Sequence, residues 1–209
     1  MTQLLDIFLH LDVHLQSIIM SYGLWTYAIL FIIIFCETGL IFTPFLPGDS
    51  LLFASGAIAG LGALDPLILI ILLSIAAIIG DSVNYAFGAH IGPKIFRKES
   101  QFFKHEHIMR TERFYEEHGG KTIILARFIP IIRTFAPFVA GVGAMTYPRF
   151  IFFNIIGGIM WVTLFVGSGT LFGNLPVVRE YFEFVILGII LLSLLPVLRQ
   201  WRHRKKEVR

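Results

Sequence analysis

Cysteine is nearly absent. Cys36 is the one thiol in 209 residues, so an intramolecular disulfide is excluded and the redox compartment stays undetermined. Charge is scarce as well, with Asp, Glu, Lys and Arg making up 15% of the chain against 56% hydrophobic residues. A soluble domain of this length does not need that much apolar surface, and a mean hydropathy of +0.78 points to an integral membrane protein of one domain. The opening "MTQLLDIFLHLDVHLQSIIM" lacks Lys and Arg, which argues against a secretory signal. Leu4, Leu5, Phe8, Leu11, Leu15 and Ile18 follow helical spacing there, so residues 1–20 are expected to form an amphipathic helix at the interface. Histidine is missing between residues 119 and 202, and neither a P-loop nor a Ser/His/Asp arrangement is visible, which weighs against an enzyme.

What is present is a set of apolar stretches, roughly 24–42, 50–63, 67–91, 122–146, 150–173 and 181–198. A membrane-crossing helix needs about 20 apolar residues, a length that 67–91, 150–173 and 181–198 approach or exceed. Seven Lys/Arg fall in residues 92–121 and six in the last eleven residues. Both basic regions are expected on the cytoplasmic side, the tail 199–209 contacting anionic headgroups rather than nucleic acid. Three apolar stretches separate the two regions, so one of them must enter and return on the same side. The candidate is 122–146, which carries Arg127, Pro130, Arg133 and Pro137. A full crossing with two central arginines costs roughly 5–7 kcal/mol on the insertion scale. A re-entrant hairpin buried in protein avoids much of this, and its prolines break the helix where the chain turns back.

Residues 24–63 show the same design, with Glu37 and Asp49 as charges and Pro44, Pro47 and Gly48 as breakers. The two segments align loosely. Phe53-x-x-Gly56 matches Phe138-x-x-Gly141, and Gly88-x-x-x-Gly92 matches Gly169-x-x-x-Gly173. An internal repeat follows, each copy a hairpin plus a helix, and loop parity makes the copies inverted. The expected fold is therefore an all-α membrane protein. Its membrane domain spans 21–198, with an inverted repeat of re-entrant hairpin plus transmembrane helix, an extra C-terminal transmembrane helix and the N-terminal interfacial helix.

Ionisable residues inside a membrane are functional candidates by default. Glu37 and Asp49 on one hairpin and Arg127 and Arg133 on the other form a charge-balanced quartet. Arginine matches phosphate with a planar fork of donors and keeps its charge, so Arg127 and Arg133 are read as a phosphate clamp. Adding a proton to a carboxylate would release an arginine to bind a lipid phosphate, and losing it would expel the phosphate. Asp81 in "IIGDSVNY" is read as a further proton-coupling residue, with Asn84 or Tyr85 as partners, or as a helix–helix hydrogen bond. Asn154 and Trp161 read as packing and interface residues. The "KHEHI" stretch lacks the spacing of a helical metal site, so neither metal nor cofactor is expected.

The motifs "ETGLIFTPFLPGDSLLF" (37–53), "GDSVNYAFGAHIG" (80–92), "ARFIPIIRTFAPFVAGVGAM" (126–145) and "NIIGGIMWVTLFVGSGTLFG" (154–173) resemble those of the DedA family, part of the wider group sharing the VTT domain. The resemblance covers about residues 20–198. It implies a multi-pass protein of the bacterial inner membrane and a role as lipid transporter or scramblase. Undecaprenyl phosphate and phosphatidylethanolamine are the implied substrates, and the proton motive force the implied coupling. The family's essential charges fall on Glu37, Asp49, Arg127 and Arg133. The expected function is a proton-linked lipid flippase. A proton-coupled cation exchanger is the alternative, and a scaffold without transport is a third reading. Membrane lipids and protons are the expected partners, and a homo-oligomer stays open.

Overall fold

The computed structural model describes residues 23–40, 48–97 and 119–176, with a few positions beyond. The expected N-terminal helix, Pro44, Pro47, most of the span 181–198 and the basic tail lie outside the described residues. Among the described residues every regular element is helical: α1 (Trp25–Gly39), α2 (Gly48–Gly60), α3 (Pro66–Arg97), α4 (Lys121–Ala126), α5 (Pro130–Val139), a π-helical turn (Ala140–Ala144) and α6 (Tyr147–Phe172). The apolar stretches of α3 (Pro66–Ile91) and α6 are each long and apolar enough to cross a membrane, at 26 residues apiece. Their faces are clad in exposed apolar side chains, among them Ile71, Ile75 and Ile79 on α3 and Phe152, Ile159 and Leu164 on α6. Glu37, Asp49, Asp81, Asn84, Arg127, Arg133 and Asn154 are all buried. Apolar outside and charged inside is the polarity suited to lipid surroundings.

α3 begins where Asp65 accepts from the backbone N–H groups of Leu67 and Ile68 at 2.8 and 3.0 Å, an N-cap followed by proline in the first turn. The helix then runs six residues beyond the expected end at 91.

The chain divides into two compact units. The first holds, of the described residues, 23–33, 48–73 and those from 161 onward; the second holds 34–40, 74–97 and 119–160. In the first unit α2 lies directly on α6. A Cβ added at Gly56 would come within 2.2 Å of the Val166 carbonyl oxygen, and one at Gly169 within 2.1 Å of that of Phe53. The second unit repeats the crossing, with α5 and the π turn after it on α3. There a Cβ at Gly141 would meet the Tyr85 carbonyl oxygen at 2.0 Å, and one at Gly88 that of Phe138 at 2.1 Å. Small residues let helix backbones approach this closely where water offers no driving force.

The break at the start of α5 is local. Ile129 is extended, with φ −120° and ψ 105°, because the following Pro130 disfavours the helical region for its predecessor. Two expected breakers act otherwise. Gly48 opens α2, and α5 continues through Pro137. Proline there forfeits a single i→i−4 bond, and the chain stays helical into the π turn that follows. Tyr85 donates its hydroxyl to the Met145 carbonyl at 2.8 Å, and its ring stacks on Phe150 at 4.6 Å, fixing the exit from that turn.

Candidate functional site

The site lies in the second unit, where α1, α3, α5, α6 and the α4–α5 junction contribute side chains. Arg127 caps the C-terminus of α4, just before the break, and is 2% exposed. Its Nη2 donates to Asp81 on α3 and, at 2.5 Å, to Oδ1 of Asn154 on α6. Asn154 is fixed at its other end, where Nδ2 donates to the Ile78 carbonyl at 3.0 Å. Arg133 lies in the first turn of α5 and pairs with Glu37 in the last turn of α1.

Asn84 binds the frame together. Its side-chain amide donates to the carbonyls of Thr134 at 2.8 Å and Thr38 at 3.3 Å, joining α3 to α5 and to α1. The close approach of α1 to α3 uses Gly80, where a Cβ would fall 2.0 Å from the Thr38 hydroxyl. Each buried charge therefore has a compensating partner, as burial in a low-dielectric interior demands.

The sequence reading placed Asp49 beside Glu37 in a quartet with the arginines. Within the second unit, two ion pairs join Glu37 to Arg133 and Asp81 to Arg127. Asp49 belongs to the first unit, in the first turn of α2, where its Oδ1 accepts the indole N–H of Trp161 at 2.8 Å. Asp81 pairs with Arg127, whereas Asn84 and Tyr85, its expected partners, donate to backbone carbonyls. Asn154 and Trp161, read from sequence as packing residues, each hold one of the charged groups. The signal available for both was a lone polar atom in a long apolar helix, which is costly unless matched.

Comparison with known proteins decides the family. Residues 46–171 match the VTT domain, and the chain is 51% identical to Protein DedA of Escherichia coli K12 over 99% of its length and 96% of that protein. The chain is a membrane protein of the DedA family. An uncharacterised membrane protein of Mycobacterium leprae is 47% identical over 85% of this chain and 81% of its own. Inner membrane protein YqjA of Escherichia coli K12 is 34% identical over 79% of this chain and 76% of its own. No solved structure matches the chain. In this DedA-family chain the four motifs of the sequence reading fall within or at the edge of the VTT match, and they carry Glu37, Asp81, Arg127, Arg133 and Asn154.

Chemically, the arrangement joins two permanent cations to two titratable anions inside an apolar shell. Guanidinium keeps its charge while carboxylate can be neutralised, so proton uptake changes the net charge of the set and frees donors. No group of three or more His, Cys, Asp or Glu suited to a metal occurs among the described residues.

Proposed function

We propose that the protein is a lipid transporter, not an enzyme, moving a phosphate-bearing lipid across the bacterial inner membrane with linkage to the proton motive force. The observation that carries this reading is the pairing of buried Arg127 and Arg133 with Asp81 and Glu37 at a helix break. Two buried arginines offer donor forks for phosphate, and two carboxylates offer a proton-dependent way to free them. Lipids such as undecaprenyl phosphate or phosphatidylethanolamine present the matching anion. Glu37, Asp49 and Asp81 are the proton-coupling candidates in this scheme.

The finer architecture belongs to the same proposal. The α2–α6 crossing through Gly56 and Gly169 and the α5–α3 crossing through Gly141 and Gly88 use corresponding residues of the two sequence copies. Such reuse supports an inverted repeat of re-entrant hairpin plus transmembrane helix in a multi-pass protein whose C-terminus faces the cytoplasm. The name of the relative YqjA, an inner membrane protein, supports the location.

Reconstitution in liposomes under a pH gradient tests the function, with labelled polyprenyl phosphate and phosphatidylethanolamine compared. Movement of either lipid that is lost in Arg127→Ala and Arg133→Ala is expected. Proton-driven cation flux without lipid movement would replace this reading with the exchanger. Release of inorganic phosphate from the lipid would replace it with a phosphatase.

A further inference from the structure

We propose that the corner between α2 and α3 holds the primary ammonium of a zwitterionic lipid headgroup, with Asp65 as its counter-ion and Tyr27 as an aromatic wall. The observation behind this is a cavity of about 490 Å³ in the first unit. Tyr27 of α1 lines it, together with Ala63, Leu64 and Asp65 of the α2–α3 turn and Pro66 at the start of α3. The volume suits a small ligand or a headgroup. The rim is open, since a Cβ built at Gly23 or Gly62 would meet nothing within 4 Å. The cavity shares no residue with the ion pairs of the second unit, and the proposal does not depend on the transport reading.

Two contacts fix the walls. The Asp65 backbone N–H donates to the Tyr27 hydroxyl at 2.7 Å, which clips α1 to the turn. The exposed Asp65 carboxylate caps α3 through one oxygen, Oδ1, which accepts from both Leu67 and Ile68. That leaves Oδ2 for an incoming donor, and no Lys, Arg or His lines the cavity to neutralise it. The adjoining residues 1–22 carry no Lys or Arg either. A carboxylate beside a tyrosine ring suits an alkylammonium, by charge, N–H donation and the π face. The position favours a lipid as its source. The apolar stretch of α3 starts at Pro66, and Trp25, Leu67 and Ile68, next in sequence to the lining residues Leu24 and Pro66, are exposed. Exposed tryptophan at the end of an apolar helix suits the headgroup level. A headgroup there reaches Asp65 while its tails stay in the apolar layer that α3 enters. An anionic headgroup without an amine meets repulsion from the same carboxylate.

Titration of the purified full chain in detergent with dioctanoyl phosphatidylethanolamine, read by native mass spectrometry, tests this, with dioctanoyl phosphatidylglycerol as the control. Both lipids carry a phosphate and the same tails, so the difference between them isolates the ammonium. Asp65→Asn removes the charge but keeps a residue that caps a helix as well as aspartate does. Its affinity for phosphatidylethanolamine is expected to fall about fivefold, the upper range for an exposed ion pair, with phosphatidylglycerol bound no more weakly. Ala63→Phe fills the cavity and should abolish the preference for phosphatidylethanolamine while Asp65 is kept. Unchanged phosphatidylethanolamine affinity in Asp65→Asn overturns the proposal, as does an equal loss for both lipids. A preference retained by Ala63→Phe overturns it too. Tailless glycerophosphoethanolamine binding as tightly as the lipid would overturn the lipid assignment in favour of a soluble amine. Should Asp65→Asn fail to fold, Ala63→Phe decides alone, loss of the preference supporting the site and retention overturning it. None of these readouts requires lipid movement.

Discussion

At the scale of the residue, the ion pairs decide what a substitution does. Removing one partner of a buried pair leaves the other charge uncompensated, a loss of about 3–5 kcal/mol, whereas removing both is far milder. Glu37→Gln and Arg133→Gln are each expected to destabilise strongly, and the double variant by much less than their sum. A double-mutant cycle read by thermal unfolding in detergent checks this, and additive losses would contradict the pairing. Trp161→Phe keeps a ring in the packing but removes the N–H that Asp49 accepts. It should lose about 1.5–3 kcal/mol, the scale of one hydrogen bond to a charged acceptor. Trp25→Phe at an exposed position should be neutral in the same assay. Glu37, Arg127 and Arg133 were legible in the sequence because charge in an apolar stretch is conspicuous. Their partners were not. Hydropathy says that a charge is buried but not which opposite charge it meets, so Asp81 was set beside its helical neighbours rather than beside Arg127.

Among the elements, the two helix crossings make a sharper forecast. Gly88→Ala and Gly169→Ala each put a Cβ about 2 Å from a backbone carbonyl that cannot swing away. Overpacking of this kind typically costs about 1–3 kcal/mol. Gly167, with nothing within 4 Å of its added Cβ, should accept alanine without loss. Thermal midpoints of the three variants provide the check, and equal tolerance of all three would contradict the crossings. The glycine spacing was visible in sequence as a weak repeat. What it could not reveal was which helices meet there, α2 on α6 and α5 on α3. Pro137 shows the converse limit. Proline reads as a breaker from sequence, yet one missing bond near a helix end is absorbed by the turn that follows.

For the whole molecule, the proposed sidedness rests on the charge of the connecting segments. Under the positive-inside rule, the Lys and Arg of residues 92–121 and of the tail are expected in the cytoplasm. Introduced cysteines, in a Cys36→Ser background, report this directly. Ser100→Cys and Glu207→Cys should react with an impermeant reagent only from the cytoplasmic side, and Ala63→Cys and Leu175→Cys only from the opposite side. The repeat would lose its inverted relation if Ser100→Cys and Ala63→Cys reacted from one side. That the chain is a membrane protein was open to reading from composition, with 56% of its residues hydrophobic. The division into two compact units was not, because α1, α3 and α6 each contribute to both.

The most direct measurement of proton-linked exchange is the pH dependence of lipid movement in reconstituted liposomes, with the unsubstituted protein set against Glu37→Gln. Glutamine mimics the protonated carboxylate in shape and charge, so it should hold the Arg133 contact permanently in its neutral-partner form. Lipid movement by the unsubstituted protein is predicted to follow the imposed pH gradient, and that dependence should vanish in Glu37→Gln. A Glu37→Gln protein that keeps full, pH-dependent transport would contradict proton-gated release of Arg133.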